Sequence, residues 1–292
     1  MVKLGIRLSK RCRVLKTRIL TAICLISVLF GVIFFMPPIA LVWTSGLFFS
    51  VAAWEWANLS GISSQYRRVA YAFGLGCVAL LLAWYTDLEA IAGLTVILSV
   101  ACVWWLACFL MVLRYPASAF LLKTSFARLI MGGLSLVPAW LSLVYLSRMQ
   151  DGAWVMLFLV FTVAAADVGA YFAGKAFGRR KLAPKVSPGK TWEGVAGGLL
   201  LVSIAGLVGN YLFSYYLGEP LMNSWVSLLL LVIPCAISSV VGDLFESMTK
   251  RYRGIKDSGQ LLPGHGGVMD RIDGLVAATP IFTFTTILNQ WQ

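Results

Sequence analysis

Charge is scarce in this sequence. Only 12% of its 292 residues are charged and 60% are hydrophobic, whereas a soluble domain carries about 25% charge. That balance excludes a water-soluble enzyme or binding module and leaves a membrane protein. Histidine occurs once, at His265. Six cysteines are present, Cys12, Cys24, Cys77, Cys102, Cys108 and Cys235, five of them inside apolar runs and none in paired spacing. They read as small core residues, which excludes a disulfide framework and a cysteine metal site. Related halves, which a transporter of this size would show, are missing as well. The net charge of +12 and pI near 9.6 have a simpler cause than nucleic-acid binding, since cations beside apolar segments orient helices in a bilayer.

What the chain has in abundance is apolar runs of roughly the 20 residues that cross a membrane as a helix. They fall at Ile19–Phe35, Ile39–Ala57, Val69–Tyr85, Ile91–Leu113, Leu129–Leu146, Ala153–Ala173, Val195–Leu217, Trp225–Gly242 and Ile272–Leu288. The expected fold is therefore all-α and polytopic, with about nine transmembrane helices. The first run follows seven cations in residues 1–18 and has the outline of a signal peptide. Met36, Pro37 and Pro38 follow it instead of a small-residue cleavage site, so it reads as an uncleaved span. With the N-terminus in the cytoplasm, every Lys and Arg except Arg148 falls on the cytoplasmic side, and Asp87, Glu89, Asp151 and Glu219 fall outside. The expected organisation is a basic segment 1–18, N-terminal helices over 19–150, and a catalytic region over 151–292 with cytoplasmic loops 174–194 and 243–273.

The remaining acids, Glu55, Asp167, Glu193, Asp243, Glu246, Asp257, Asp270 and Asp273, all lie on or near the cytoplasmic side. Carboxylates at membrane depth are costly unless paired, hydrated or metal-bound, which makes each a functional candidate. Asp167 shares a helical face with Tyr171 and Lys175, and a bridge to Lys175 that merely closes the bundle is the plain alternative for it.

Two polar stretches invite a chemical reading. In Ser187–Gly194, SPGKTWEG, the Gly-Lys-Thr triplet is not a P-loop, because Pro184 stands where the first glycine belongs and no strand is expected before it. Ser187 or Thr191 can cap the following helix, and Lys190 with exposed amides attracts phosphate. A basic connector for anionic lipid headgroups is the alternative there. In Ser247–Asp273 and just upstream of it, Asp243 with Glu246 and Asp270 with Asp273 form two i, i+3 carboxylate pairs at neighbouring helix ends. Such pairs can hold Mg2+ through one or two oxygens each, leaving positions for substrate phosphate. Lys250, Arg251, Lys256 and Arg271 supply countercharge, and Gly264, Gly266 and Gly267 let backbone approach a substrate. A structural salt-bridge network is the alternative, although it would not need the glycines. His265 reads as a ligand positioner, because a phosphomonoester is already mostly ionised at neutral pH and needs no base.

The run Ser247-x-x-Lys250-Arg251-x4-Lys256-Asp257-x-Gly259-x2-Leu262-Pro263-Gly264-His265-Gly266-Gly267-x2-Asp270-Arg271-x-Asp273 resembles the signature of the phosphatidate cytidylyltransferases, or CDP-diacylglycerol synthases. The GAYFAGKAFG and SPGKTWEG segments within Asp167–Gly194 look like that family too, and so does the nine-span layout. The resemblance is strong over the C-terminal half and general elsewhere. Thr249 departs from it, standing where the family usually has an apolar residue.

The resemblance implies attack by a phosphatidic acid phosphate oxygen on the α-phosphorus of CTP, giving CDP-diacylglycerol and pyrophosphate. It also implies a Mg2+ centre at Asp243 and Asp270, with a second ion conceivable and Glu246 and Asp273 beside it. Catalytic roles then fall to Asp243, Asp270, Lys250, Lys256 and His265. Substrate contacts fall to Asp167, Ser187, Lys190, Thr191, Arg251, Asp257, Gly264, Gly266, Gly267 and Arg271. A homodimer among membrane lipids, in a bacterial inner membrane with the site facing the cytoplasm, completes the expectation; no nucleic-acid partner is expected. A CDP-alcohol phosphotransferase is the nearest rival, since Asp273-Gly274-x-x-Ala277 starts its motif. Ala278 then replaces the required arginine and no aspartates follow.

Overall fold

Backbone N–H and C=O groups find no partners in hydrocarbon, so each apolar run must satisfy its own as a helix. The computed structural model describes residues 24, 27, 28, 30–86 and 91–289. Its long helices are α1 (Pro38–Leu59), α2 (Gln65–Tyr85), α3 (Ile91–Leu113), α4 (Ser125–Arg148), α5 (Gly152–Phe177), α6 (Trp192–Leu217), α7 (Trp225–Arg253) and α8 (Met269–Leu288). All eight are long and apolar enough to span a membrane, and they match the second to ninth predicted spans. The segment 1–18, much of the first predicted span, Asp87 and Glu89 lie outside the described residues; helical backbone runs over 30–35.

Two departures from the sequence reading have physical causes. The helix predicted to end at Gly242 continues as α7 to Arg253; hydropathy falls at Asp243, but backbone hydrogen bonding does not. Residues read as a connector instead form an antiparallel hairpin of β1 (Lys181–Ala183) and β2 (Ser187–Thr191), with Lys181 opposite Thr191 and Ala183 opposite Ser187. Strands this short and polar leave no alternation to detect.

Apolar side chains gain little by leaving lipid for one another, so helices associate where small residues let backbones approach. A Cβ on Gly169 of α5 would lie 2.7 Å from the Gly197 carbonyl oxygen of α6. On Gly242 of α7 it would lie 2.4 Å from the Asp273 carbonyl oxygen of α8. On Gly132 of α4 it would lie 2.1 Å from the Trp56 ring. Trp56 stacks on Phe245 at 5.8 Å, and Trp104 and Trp105 meet the same ring edge-on at 5.6 and 6.1 Å. These aromatics fix the rotation of α7 where Asp243 and Glu246 project from it.

The turn after α1 is tied to the same end of the bundle. Trp56 Nε1 donates to the Arg128 carbonyl at 2.7 Å, while the buried Arg128 guanidinium donates to the carbonyls of Ser60 and Leu122. A cation on the last carbonyls of a helix suits its dipole. Asn58 Nδ2 donates to the Ser258 carbonyl at 2.9 Å, joining this turn to the α7–α8 loop.

Gly169→Val should push α5 from α6 and destabilise the protein by about 1–3 kcal/mol, as overpacking does. Gly189→Ala, with nothing within 4 Å of the added carbon, should leave the melting temperature in detergent unchanged. Equal melting of the two variants would contradict this packing.

Candidate active site

Lys250 is the hinge of the charged end. It lies one turn beyond Glu246 on α7, and its Nζ is 2.6 Å from Glu246 Oε2 and 2.6 Å from Asp270 Oδ1 on α8. The two acids are 1% and 5% exposed at the side chain. Two of the three ammonium hydrogens are thus occupied.

Asp270 is held from several directions. Its Oδ2 accepts from Ser258 N at 2.9 Å, Gly267 N at 2.8 Å and Ser258 Oγ at 3.1 Å. The loop reaches this geometry through a tight turn, in which Leu262 N donates to the Gly266 carbonyl and His265 N to the Leu262 carbonyl, with Gly264 and Gly266 at φ +77° and +82°. Such positive φ favours glycine. Added carbons on Gly266 and Gly267 would strike Asp270 Oδ2 at 2.7 Å and Ser258 Oγ at 2.1 Å. These glycines therefore make room for the protein's own polar groups, a reason the sequence did not disclose.

A second ion pair joins the hairpin to α7. Lys190 Nζ lies 2.8 Å from Asp243 Oδ2, with side chains 24% and 39% exposed. Asp167 faces Lys190 and Asp243. Among the described residues no direct ion pair joins Asp167 to Lys175, whose ammonium lies 5.8 Å from the Tyr171 ring centre. Thr191 caps α6, its hydroxyl accepting from Gly194 N at 3.1 Å, whereas Ser187 belongs to β2. Glu193, in the first turn of α6, accepts from Arg179 N and Arg180 N at 3.1 and 3.2 Å. Arg251 Nε donates to the Val186 carbonyl at 3.2 Å and docks the hairpin on α7. The departing Thr249 is fully buried and returns its hydroxyl to the Phe245 carbonyl at 3.1 Å.

The remaining predicted residues differ in placement, Asp257 packing at Gly266 beside Asp270. Lys256 and Asp257 are exposed and form no ion pair among the described residues. His265 is half-buried, with Nδ1 buried and unpartnered. Arg271 leaves the cluster altogether and lines a cavity of about 370 Å³ bounded by apolar side chains including Phe48, Trp140, Leu159 and Leu275.

The cluster can be tested for fit to a divalent metal. Its donors are hard carboxylate oxygens; Glu246 Oε1 is buried without a partner, and Asp273 lies against Glu246 and Asp243. Among the described residues no three acids converge into a ready cage. Mg2+ does not need one, since it takes one or two carboxylates and keeps waters or phosphates in its other positions. Asp243, Glu246, Asp270 and Asp273 supply the right donor type, but Asp243 already meets Lys190 and Ser247 Oγ and both Glu246 and Asp270 meet Lys250, so a bound ion would replace some of these contacts.

Glu55 went unassigned in the sequence reading although it stands at this site. It is buried on α1, and its Oε2 accepts from Met269 N at 2.7 Å and Ser258 Oγ at 3.0 Å. An acid in an apolar run was its signal. Ser258 gave none.

Comparison with known proteins agrees with the signature. Residues 16–288 match the model of the Cytidylyltransferase family. A phosphatidate cytidylyltransferase from Pseudomonas aeruginosa is 45% identical over 271 residues, 92% of this chain and 95% of that protein. One from Haemophilus influenzae is 38% identical over 286 residues, 92% of this chain and 98% of that protein.

Removing one partner of a buried ion pair strands the other, at about 3–5 kcal/mol, whereas partly exposed pairs contribute about 0–1 kcal/mol. Lys250→Met should therefore melt well below wild type and Lys190→Met close to it. The reverse order in a detergent melting series would contradict the burial described for Lys250.

Proposed function

The chain belongs to the cytidylyltransferase family, and from that premise we propose that it transfers the cytidylyl group of CTP to phosphatidic acid at the cytoplasmic membrane face, giving CDP-diacylglycerol and pyrophosphate. One observation carries this reading. Asp270 and Arg271 are consecutive on α8, the first inside the ion-paired cluster and the second lining the apolar cavity. A substrate with a phosphate head and acyl tails suits that junction, and a purely aqueous nucleotide substrate would not need the cavity.

The reaction is an in-line displacement. A phosphate oxygen of phosphatidic acid forms a bond to the α-phosphorus of CTP, and the bond from that phosphorus to the bridging oxygen breaks, releasing pyrophosphate. Since the lipid phosphate has its second pKa near 6, it arrives mostly ionised and no side chain has to remove a proton. Catalysis then rests on positioning and charge compensation. Arg271, at the cavity, is placed to meet the lipid phosphate. Lys190 and Arg251, which join the hairpin to α7, and the exposed Lys256 of the following loop are the cations available to offset charge on the nucleotide and on the departing pyrophosphate. Lys250 retains one free N–H for a phosphate oxygen while it holds Glu246 and Asp270. Asp243 and Asp270, with Glu246 and Asp273 beside them, would hold Mg2+, which when bound would neutralise charge on the two phosphates. His265 organises the loop through its backbone bond to Leu262.

The family resemblance supports a homodimer surrounded by membrane lipids, and the bacterial relatives support an inner membrane. Detergent-purified protein should release pyrophosphate only with phosphatidic acid, CTP and Mg2+ together. Asp243→Asn should lower that rate by at least about a hundredfold, the scale of losing a group that acts on developing charge, with melting unchanged. Release without lipid, or an active Asp243→Asn, would count against the reading.

A further inference from the structure

The loop between α7 and α8 is anchored by a residue from the opposite half of the chain. Glu55 is 0% exposed and its Oε2 takes the N–H of Met269, the first residue of α8. The first N–H groups of a helix have no partner within it, and α8 begins after Val268, whose side chain cannot accept one. Glu55 supplies that acceptor from α1. Its other donor, Ser258 Oγ, lies 3.0 Å from Glu55 and 3.1 Å from Asp270 Oδ2. One hydroxyl carries one hydrogen, so Glu55 and Asp270 share the single Ser258 hydrogen, and the position of one carboxylate bears on the bond available to the other.

The surroundings are shaped to this side chain. A Cβ on Gly259 would meet Glu55 Oε1 at 2.3 Å, with Glu55 Cδ and Cγ as its next neighbours, and a Cβ on Gly267 would lie 2.4 Å from Glu55 Oε2. Glu55 forms no ion pair among the described residues. A carboxylate needed only as packing would be replaceable by an apolar side chain at no loss, since a buried acid without a cation is costly.

We infer that Glu55 is a positioning residue for cytidylyl transfer: by holding Ser258 and the first turn of α8, it sets the direction of the Asp270 carboxylate beside Lys250. This rests on the function proposed above.

The test compares full-length wild type with Glu55→Gln, Glu55→Ala, Gly259→Ala and the double variant Glu55→Ala with Gly259→Ala. It reads kcat and KM for CTP with phosphatidic acid, and separately trypsin cleavage after Lys256, the exposed lysine of the α7–α8 loop, without substrates. Glu55→Ala should lower kcat by at least about tenfold while KM for CTP moves less than about threefold, the pattern of a lost transition-state arrangement. Its loop should be cut faster than that of wild type. Glu55→Gln, which keeps an oxygen for Met269 N–H, should recover most of kcat. Gly259→Ala should mimic Glu55→Ala and add nothing to it, since both act through one side chain.

Wild-type kcat and cleavage in Glu55→Ala, a KM rise with unchanged kcat, or additive losses in the double variant would overturn the inference. Should Glu55→Ala fail to fold, Gly259→Ala decides, and wild-type kcat and cleavage in it overturn the inference. An inactive wild type would sink the proposed function instead, while the cleavage comparison would still judge the anchoring.

Discussion

The ammonium of Lys250 lies between Glu246 on its own helix and Asp270 on the next, and the other polar contacts at this end of the bundle are arranged around that placement. Two nearly buried carboxylates persist only with a cation and donors to hold them. Lys250 supplies the cation. Ser258 and Gly267 supply the donors to Asp270, and Glu55 ties the same loop to α1. Because Lys250 pairs across helices, it also fixes α7 against α8, where Gly242 lets the backbones approach. Charge placement and helix packing are therefore one constraint here.

The functional logic follows from segregation. Apolar helices form the frame, and the described ion pairs gather among Lys190, Asp243, Glu246, Lys250 and Asp270. The α8 helix runs from that polar end along an apolar cavity, so a molecule with a phosphate head and hydrocarbon tails can meet each part in its own medium. The β1–β2 hairpin, docked through Arg251 and Lys190, brings the polar stretch at Ser187–Gly194 against the end of α7.

Much of this was legible beforehand. Helix number and placement follow from apolar runs that hydrocarbon forces to be helical, so the second to ninth predicted spans survive with only their ends extended. The i, i+3 spacing already paired Asp243 with Glu246 and Asp270 with Asp273, whereas Lys250 read only as countercharge and reaches Glu246 because α7 stays helical to Arg253. What the sequence concealed depends on contacts between distant segments. Glu55 and Ser258 meet across about two hundred residues, and no local pattern marks that. Gly266 and Gly267 read as room for a substrate, whereas Asp270, Ser258 and Glu55 stand against them. Lys175 and Asp167 share a helical face, yet Lys190 arrives from the hairpin to face the acid instead. Arg271 reads as one more cation of the motif until the fold turns it toward the cavity.

The central claim, that a lipid phosphate displaces pyrophosphate from CTP at this cluster, is tested most directly by isotope transfer. Phosphatidic acid carrying oxygen-18 at its non-bridging phosphate oxygens would be turned over by the purified protein and both products weighed by mass spectrometry. The account predicts that all of the label appears in CDP-diacylglycerol and none in pyrophosphate, because the lipid oxygen becomes the new bridge. Label in the pyrophosphate, or turnover of CTP with no labelled liponucleotide, would contradict it.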